Sequence, residues 1–282
     1  MPELPEVETI SRGLDQKLAG DRIESVWIGS KPEPLGSAAA EIERVLSGAR
    51  IAGFRRVGKH LVCDLERESG SGSPASPHLA CWGKAQWIIH LGMTGRCVVC
   101  SPEAPRARHT HLIATLASGR ELRFVDARRF GRLRVLEGGE FAAPGDEPTT
   151  AGRERFVQLF RRRRTPIKSA LLNQRLLAGV GNIYADESLF RAGVRPRRQA
   201  ARLTRAELGR LYDALQQVLA EAIAAGGSSI SDYVDADGES GFFQLQHKVY
   251  QRTGEPCMVC GASIQRVIVA GRSSHYCPKC QR

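Results

Sequence analysis

Four cysteines near the C-terminal end restrict the fold of this 282-residue chain more than any other feature. They form two C-x-x-C pairs, Cys257 with Cys260 and Cys277 with Cys280. Four thiolates at this spacing are typical of a closed, tetrahedral zinc site of the ribbon type. The pattern therefore predicts one structural Zn²⁺, and we expect no organic cofactor.

The residues between the two cysteine pairs predict a β-hairpin. Residues 264–269 and His275-Tyr276 are strand-like, and residues 270–273 have the composition of a turn. Arg272 would then lie at the tip of a hairpin whose shape the metal sets. The alternative interpretation of Arg272 is an ordinary solvated turn residue.

The other four cysteines, Cys63, Cys81, Cys97 and Cys100, are scattered through the first half of the chain. Cys97 and Cys100 form a third C-x-x-C, but no further pair accompanies them at metal-binding spacing. We therefore interpret them as packing thiols.

The charge of the chain indicates a polyanionic partner. Its 41 Lys and Arg residues exceed its 30 Asp and Glu residues, which gives a net charge of +11. No apolar run approaches the roughly 20 residues that a membrane span needs, and the N-terminus has no signal-peptide pattern. We expect a cytoplasmic, nucleic-acid-binding protein, with a merely well-solvated basic surface as the alternative.

Short strand-like runs separated by turns fill the first half of the chain and predict an antiparallel sandwich or barrel. A helix precedes them, because apolar residues recur at helical spacing over residues 6–18 and Gly20 follows. We expect residues 1–137 to form a β-sandwich domain with flanking helices. The predicted strands are residues 23–28, 50–56, 61–65, 86–91, 96–99, 111–116, 121–125 and 132–136.

The second half is helical. Residues 138–152 are rich in Gly, Pro, Thr and acids and predict a linker, and residues 153–243 form the next domain. Residues 228–243 lack periodicity and predict a mobile loop, and residues 244–282 form the cysteine-bearing module. The predicted helices are residues 154–162, 167–177, 183–192 and 204–225, the last with a capping box made by Thr204 and Glu207.

The first six residues, Met1-Pro2-Glu3-Leu4-Pro5-Glu6, suggest chemistry at the N-terminus. Removal of Met1 would leave Pro2 as a secondary amine, and α-amino groups titrate near pH 7.7–8, well below lysine. Such an amine attacks an aldehyde-like carbon to give an iminium, while the carboxylates of Glu3 and Glu6 can move protons. The alternative is an ordinary helix start, with Pro5 at the first helical position and acids in the first turn.

Two further groups of residues suggest DNA contacts. Residues 177–185 place a Gly-x-Gly turn before a helix with Asn182 at its N-cap, and the backbone N–H groups of such a turn suit a phosphate. A tight turn between helices is the alternative, since it also needs glycine. In the β-domain, Met93, Arg128 and Phe130 are of the types that fill the gap left by a flipped base, or else are ordinary core or surface residues.

Taken together, these features resemble the formamidopyrimidine-DNA glycosylase family, bacterial enzymes that remove 8-oxoguanine and ring-opened purines from DNA. The family resemblance implies an α+β, multidomain fold: an N-terminal β-sandwich, a helix–two-turn–helix domain and a C-terminal β-hairpin zinc finger. It also implies a monomer that acts on double-stranded DNA with damaged bases and does not contact membranes. The matching motifs, in order, are residues 1–9, 90–95, 128–131, 179–182 and the four-cysteine finger.

The resemblance implies a role for each candidate residue. Pro2 matches the nucleophile that attacks C1′, Glu3 the acid that assists base loss, Lys59 the proton donor of β-elimination and Arg272 the finger arginine of δ-elimination. Glu6 supports the N-terminal segment. Positions that match DNA contacts are His109, Arg128, Arg163, Lys168 and Asn182, and the void-filling trio is Met93, Arg128 and Phe130.

The chain departs from the family pattern at several positions. Ala127 replaces a common proline, His60 replaces a usual tyrosine, and Arg163 lies in the run 161–164 where lysines are frequent. A related alternative is the endonuclease VIII type, which prefers oxidised pyrimidines and typically has glycine in place of Leu4. A non-catalytic, zinc-stabilised DNA-binding protein is the alternative from another class.

Overall fold

The computed structural model describes residues 1–66, 83–228 and 241–282 of the chain. These residues form two compact units. Two short 3₁₀ helices cover Ala200–Arg202 and Phe243–Gln246. In chain order the helices and strands are α1 (Leu4–Leu18), β1 (Ile23–Ile28), α2 (Ala39–Leu46), β2 (Arg50–Val57), β3 (His60–Glu66), β4 (Lys84–His90), β5 (Arg96–Cys100), β6 (Thr110–Leu116), β7 (Glu121–Val125), β8 (Arg132–Glu137), α3 (Arg153–Phe160), α4 (Ile167–Leu171), α5 (Asn182–Ala192), α6 (Arg205–Ala224), β9 (Gln265–Val269) and β10 (Arg272–Tyr276).

The first unit contains Met1–Pro2 and Glu6–Ala142 and is a β-sandwich. Its strands form two four-stranded antiparallel sheets, with strand orders β1-β6-β7-β5 and β2-β3-β4-β8. One apolar core contains side chains from both sheets, such as Trp87 from β4 and Phe124 from β7, which are at most 1% exposed. The predicted sandwich is confirmed.

Helix α1 packs its apolar stripe into the same core through Val7, Ile10, Leu14 and Leu18. It begins at Leu4, two residues before the predicted start, so Pro5 occupies the second helical position and not the first. The first-turn N–H groups of a helix have no partner within the helix, so a proline there removes no hydrogen bond.

The second unit contains Glu3–Pro5, Ala143–Ser228 and Phe242–Arg282. Its longest element is α6, which starts with the predicted capping box. The Glu207 N–H donates to the Thr204 hydroxyl at 3.1 Å, and the Thr204 N–H donates to the Glu207 carboxylate at 2.8 Å. This reciprocal cap fixes where the helix begins.

The helix predicted over residues 167–177 is shorter than expected, because α4 ends at Leu171. The side chain of Asn173 accepts the N–H of Arg175 at 3.0 Å, and the amide of Gln174 donates to the carbonyls of Leu172 and Val180 at 2.9 and 2.8 Å. Local bonds from Asn and Gln side chains compete with helix continuation. They fold residues 172–178 into a turn that the apolar pattern does not reveal.

The predicted hairpin near the C-terminus is formed by β9 and β10, with Val269 opposite Arg272. Ala270 and Gly271, the two residues of its turn, have φ values of +45° and +77°. Positive φ at both positions is typical of a two-residue type I′ turn. Arg272 is therefore the first residue of the second strand and not a turn residue, although it still lies at the tip.

Most of the predicted mobile loop, residues 229–240, lies outside the described residues. Within those that the structure describes, no helix has the length and apolar character that a bilayer crossing requires.

Two histidines of the first unit should make its stability depend on pH. Burial lowers the pKa of His90 to about 4, with smaller effects from His60, Lys59 and Arg132, and burial also lowers the pKa of His60. The neutral His90 ring accepts the N–H of Gly92 through Nδ1 at 3.1 Å. Protonation would remove that bond, so the folded state keeps the ring neutral.

We predict that the first unit loses stability as the pH falls from about 6.5, where the unfolded histidine titrates, towards about 4. Urea unfolding followed by tryptophan fluorescence measures this unit alone, because all three tryptophans lie in residues 27–87. The His90→Gln variant should show a flatter pH dependence, whereas His109→Gln, at an exposed position, should follow the wild type. Equal pH dependence in all three proteins would contradict the assignment.

Candidate functional site

The N-terminal segment of the second unit lies against the start of α5. The N–H of Ile183 donates to the Oε1 atom of Glu3 at 3.2 Å, and the N–H of Leu4 donates to the carbonyl of Gly179 at 3.1 Å. Glu3 is only 4% exposed, and Leu4 is fully buried. The positive end of the helix dipole stabilises a carboxylate at this place. Glu3 thus does for α5 what an N-cap side chain usually does.

Two glycines make room for this arrangement. Gly179 has a φ of +98°, and a Cβ there would approach the Leu4 side chain to 2.8 Å. Gly181 is the N-cap residue of α5, and a Cβ there would overlap the Glu3 carboxylate. The Gly-x-Gly turn is therefore required by the two residues that pack on it.

The structure corrects the prediction for Asn182. This residue is the first residue of α5 and not its N-cap, because the extended Gly181 takes that position. The anion at the helix start is Glu3, so the backbone nest predicted for a phosphate already binds a carboxylate of the chain itself. Asn182 is half-buried at the start of the helix, and its phosphate contact stays a prediction.

Lys168 forms a buried ion pair. Its Nζ atom lies 2.7 Å from the Oδ1 atom of Asp186, and both side chains are 0% exposed. Burial lowers the pKa of Lys168, and the adjacent Asp186 carboxylate opposes that shift. The ammonium therefore has no exposed surface for a phosphate in this structure, so the arrangement does not favour the predicted DNA contact.

The same pair holds the finger hairpin beside α4 and α5. Lys168 donates to the carbonyl of Ser273 at 2.6 Å, and Asp186 accepts the N–H of His275 at 2.9 Å. Both contacts fall on β10, within three residues of Arg272. The exposed Arg272 side chain is thus fixed at its backbone by a charge pair that solvent does not reach.

The four predicted zinc ligands lie together. Their sulfur atoms are all within 4.8 Å of one another, with 3.9 Å between Cys257 and Cys280 and 3.4 Å between Cys260 and Cys277. A tetrahedron with Zn–S bonds of about 2.3 Å has sulfurs about 3.8 Å apart. The donor set fits one structural Zn²⁺. In the described residues this is the only group of three or more Cys, His, Asp or Glu side chains with metal-binding geometry.

Two loops of the first unit carry the predicted void-filling residues. Met93 and Phe130 are 40% and 52% exposed, and the Arg128 guanidinium lies 4.9 Å from the centre of the Phe130 ring. Gly92 has a φ of +61°, and a Cβ there would collide with the backbone of Phe130. Met93 and Phe130 are therefore exposed on two loops that pack against each other at Gly92.

Asp126 holds these two loops together. Its Oδ1 atom accepts the hydroxyl of Thr94 at 2.5 Å and the N–H of Arg128 at 3.2 Å, and its Oδ2 atom accepts the N–H of Gly131 at 2.7 Å. The residue is 0% exposed. A single buried carboxylate thus determines where the loop of Met93 lies relative to the loop of Arg128 and Phe130.

The remaining DNA-contact candidates are exposed. His109 precedes β6, and its carbonyl accepts the N–H of Asp126 at 3.0 Å. Arg163 follows α3, and its Nε atom donates to the carbonyl of Leu159 at 2.7 Å. Both side chains are thus on the surface of their unit, as DNA contacts require.

The other catalytic candidates, Lys59, Pro2 and Glu6, lie in a turn, before the first helix and on that helix. Lys59 lies in the turn between β2 and β3, after Gly58 with a φ of +59°. Pro2 is buried directly before Glu3, and Glu6 is 1% exposed on α1. The Pro2 nitrogen is an amide while Met1 is attached, so its chemistry requires removal of Met1.

Sequence reasoning does not single out three buried carboxylates: Asp126, Asp186 and Glu187. Glu187 accepts the backbone N–H groups of Lys248, Val249 and Tyr250 at 2.8–3.0 Å. A usable signal is the adjacent acidic pair 186–187 in a helix whose neighbouring residues are apolar. Charges on such a helix stay buried only when they have partners.

A β-sandwich, a helical domain whose Gly-x-Gly turn receives the N-terminal segment, and a four-cysteine finger together define a class of zinc-containing DNA-repair glycosylases. Three family models match in that order. They are the formamidopyrimidine-DNA glycosylase N-terminal domain over residues 1–133, its H2TH domain over residues 144–234, and the zinc finger found in FPG and IleRS over residues 254–282. The chain belongs to the formamidopyrimidine-DNA glycosylase family.

Individual relatives agree. The formamidopyrimidine-DNA glycosylase of Solibacter usitatus is 46% identical, with all of both chains covered. A complex of wild-type Lactococcus lactis Fpg (MutM) with N7-benzyl-Fapy-dG-containing DNA has a TM-score of 0.86 at 33% identity, again over both full chains. A structure of MutM with DNA containing carbocyclic 8-oxo-G gives the same TM-score, identity and coverage.

The contact between Glu3 and Gly181 predicts the effect of adding one methyl group. In Gly181→Ala the new Cβ must displace the carboxylate and break its bond to Ile183 N–H. A hydrogen bond to a charged group contributes about 1.5–3 kcal/mol, so we expect the free energy of unfolding to fall by about 2 kcal/mol. The matched control is Gly152→Ala at the N-cap of α3, where a Cβ meets nothing within 4 Å. Equal losses in urea denaturation would count against the contact.

Zinc content provides a test of the finger. We expect one equivalent of zinc in the purified protein and a loss of most of it in Cys260→Ser, since three thiolates bind far more weakly than four. Cys100→Ser, at a half-buried cysteine outside the cluster, should retain the metal. Elemental analysis, with hydrogen exchange over residues 254–282, measures both effects. Full metal retention in Cys260→Ser would exclude the four-cysteine site.

Proposed function

We propose that this protein is a bifunctional DNA glycosylase and AP lyase that removes oxidised purines, 8-oxoguanine and formamidopyrimidines, from double-stranded DNA. The observation that carries the proposal is the burial of Glu3 at the N-terminus of α5, directly after Pro2. This contact fixes an acid beside the residue that becomes the N-terminal amine. An ordinary helix start does not require it, and membership in the family supports the same reaction.

The reaction starts at Pro2 once Met1 has been removed. The secondary amine attacks C1′ of the damaged nucleotide as the bond from C1′ to the base breaks, and the base leaves with a proton. We assign to Glu3 the proton transfers that assist base loss and opening of the sugar ring. The product is an iminium between Pro2 and C1′, which stays cationic because the nitrogen carries no hydrogen.

The iminium then permits strand cleavage without a hydrolytic water. It acidifies the proton on C2′, whose loss expels the 3′ phosphate, and a second elimination expels the 5′ phosphate. We propose Lys59 as the proton donor of the first elimination and Arg272 as the residue that assists the second. The buried pair of Lys168 and Asp186 then serves to position Arg272 through β10.

Binding precedes this chemistry. We propose that His109, Arg128, Arg163 and Asn182 contact the DNA backbone, which gives affinity and salt dependence without sequence preference. Met93, Arg128 and Phe130 fill the space that the flipped nucleotide leaves. Their exposure and their fixed spacing through Asp126 support this assignment.

We propose that each domain of the chain has its own function. Residues 1–137 hold the nucleophile and the void-filling loops, 138–152 are a linker, 153–243 contain the helix–two-turn–helix domain, and 244–282 form the finger. The zinc, when bound by its four cysteines, braces the hairpin of Arg272. A bacterial cytoplasm, with the protein associated with the nucleoid through DNA, is the proposed location.

Borohydride trapping tests the proposal. Reduction should join the protein covalently to a duplex that contains 8-oxoguanine opposite cytosine, because it converts the iminium into a stable amine. A variant with an extra residue kept before Pro2 is the control and should form no adduct. A correctly processed protein that gives no adduct would refute the Pro2 mechanism.

The alternative substrates are tested in the same assay. An endonuclease VIII-type enzyme would process a duplex with thymine glycol faster than one with 8-oxoguanine, and a non-catalytic DNA-binding protein would process neither. Leu4 speaks against the first alternative, because the endonuclease VIII type typically has glycine at this position.

A further inference from the structure

A pocket of the first unit is lined by cations that the proposed reaction does not use. Its volume is about 500 Å³, and Lys31, Arg106, Arg108 and Arg129 line it together with Trp27 and His109. No acidic side chain is part of the lining in the described residues. A concave surface with charges of one sign raises the local concentration of opposite charge.

Within the described residues, most of these cations form no ion pair. Arg129 pairs with Glu33 at 2.9 Å. Among the residues that the structure describes, Lys31, Arg106 and Arg108 form no ion pair. Glu33 pairs with Arg129 and also interacts electrostatically with Lys31, but the pocket keeps an excess of positive charge. An anionic ligand would reduce the repulsion among these cations.

The position of Arg106 indicates what kind of anion fits. Its guanidinium lies 3.4 Å from the centre of the Trp27 ring, which is 40% exposed. Stacking on a ring face fixes an arginine while its N–H donors stay available. Such donors match the oxygens of a phosphate or a carboxylate in a bidentate geometry.

The pocket is continuous with the proposed DNA-contact surface of the same unit. His109 lines it, and so do Ala127 and Arg129, the neighbours of Arg128. An anion in this pocket would therefore lie beside the residues that we propose to contact the lesion. The polyanion that the proposed function places on that surface is the damaged duplex.

We propose that Lys31, Arg106 and Arg108, with Trp27 as a stacking platform, form a second binding site for backbone phosphates of the duplex, outside the lesion contacts. This inference rests on the proposed function. The three cations add phosphate contacts to the DNA and so contribute to the affinity and its salt dependence. The chemical steps do not involve them.

The experiment compares two triple variants with equal loss of charge. Lys31→Gln, Arg106→Gln and Arg108→Gln remove the pocket cations. The control, Arg12→Gln, Arg44→Gln and Arg50→Gln, removes three arginines that are paired with Glu8, Glu137 and Glu66. Binding to a 30-base-pair duplex with a stable abasic analogue is measured between about 50 and 200 mM salt.

Each phosphate contact contributes about 0.9 to the slope of log affinity against log salt. We expect the pocket variant to reduce the slope by about 2 to 3 and to weaken binding at least tenfold near 150 mM salt, and the control variant to change neither. The single variant Arg108→Gln, which removes no hydrogen bond or ion pair among the described residues, should reduce the slope by about 1. The rate of base release at saturating enzyme should stay at the wild-type value.

An unchanged slope in the pocket variant, or an equal change in the control variant, would overturn the inference. The borohydride adduct separates this failure from failure of the proposed function. An intact adduct with an unchanged slope rejects only the phosphate site. A missing wild-type adduct rejects the Pro2 chemistry, while the slope still measures the pocket.

Discussion

The hydrogen bond from Ile183 N–H to the Glu3 carboxylate is the contact on which the candidate site depends. A carboxylate that is 4% exposed has lost most of its hydration, and such burial is costly unless the group is paired. The start of α5 supplies both the donor and the positive end of the helix dipole. Glu3 directly follows Pro2 in the sequence, so the buried carboxylate adjoins the proposed nucleophile along the chain.

This contact explains the shape of the adjoining turn. Gly179 adopts a positive φ under the Leu4 side chain, and Gly181 lies where any side chain would strike Glu3. Considered alone, the same motif predicts a phosphate-binding nest. The helix start does bind an anion, as that prediction requires. The identity of the anion depends on a residue about 180 positions away, which local sequence cannot reveal.

The sequence predicts helices and strands well where buried apolar residues recur at a regular spacing. The strands of the sandwich lie within one or two residues of their predicted bounds, and the capping box of Thr204 and Glu207 is confirmed. The zinc ligands are predicted equally well, because four cysteines at this spacing rarely serve any purpose other than metal binding. Local side-chain bonds explain the failure at α4, where Asn173 and Gln174 end the helix early.

Long-range partners are what the sequence does not predict. The family resemblance predicts Lys168 as a DNA contact, yet its ammonium is buried against Asp186 and the carbonyl of Ser273. Removing one member of a buried pair leaves an uncompensated charge at a cost of about 3–5 kcal/mol.

Asp126 and Glu187 follow the same logic, since each buried carboxylate collects backbone N–H groups from a loop. Each acid accepts backbone N–H groups of an irregular segment, and the segment that Asp126 organises carries Arg128 and Phe130, which are proposed to act on DNA. In loops of this kind, buried residues do not recur at a regular spacing. Their positions therefore depend on the carboxylates that bind them, and the sequence alone does not predict them. The candidate site thus combines exposed residues that are proposed to contact DNA with buried charges that fix where the neighbouring backbone lies.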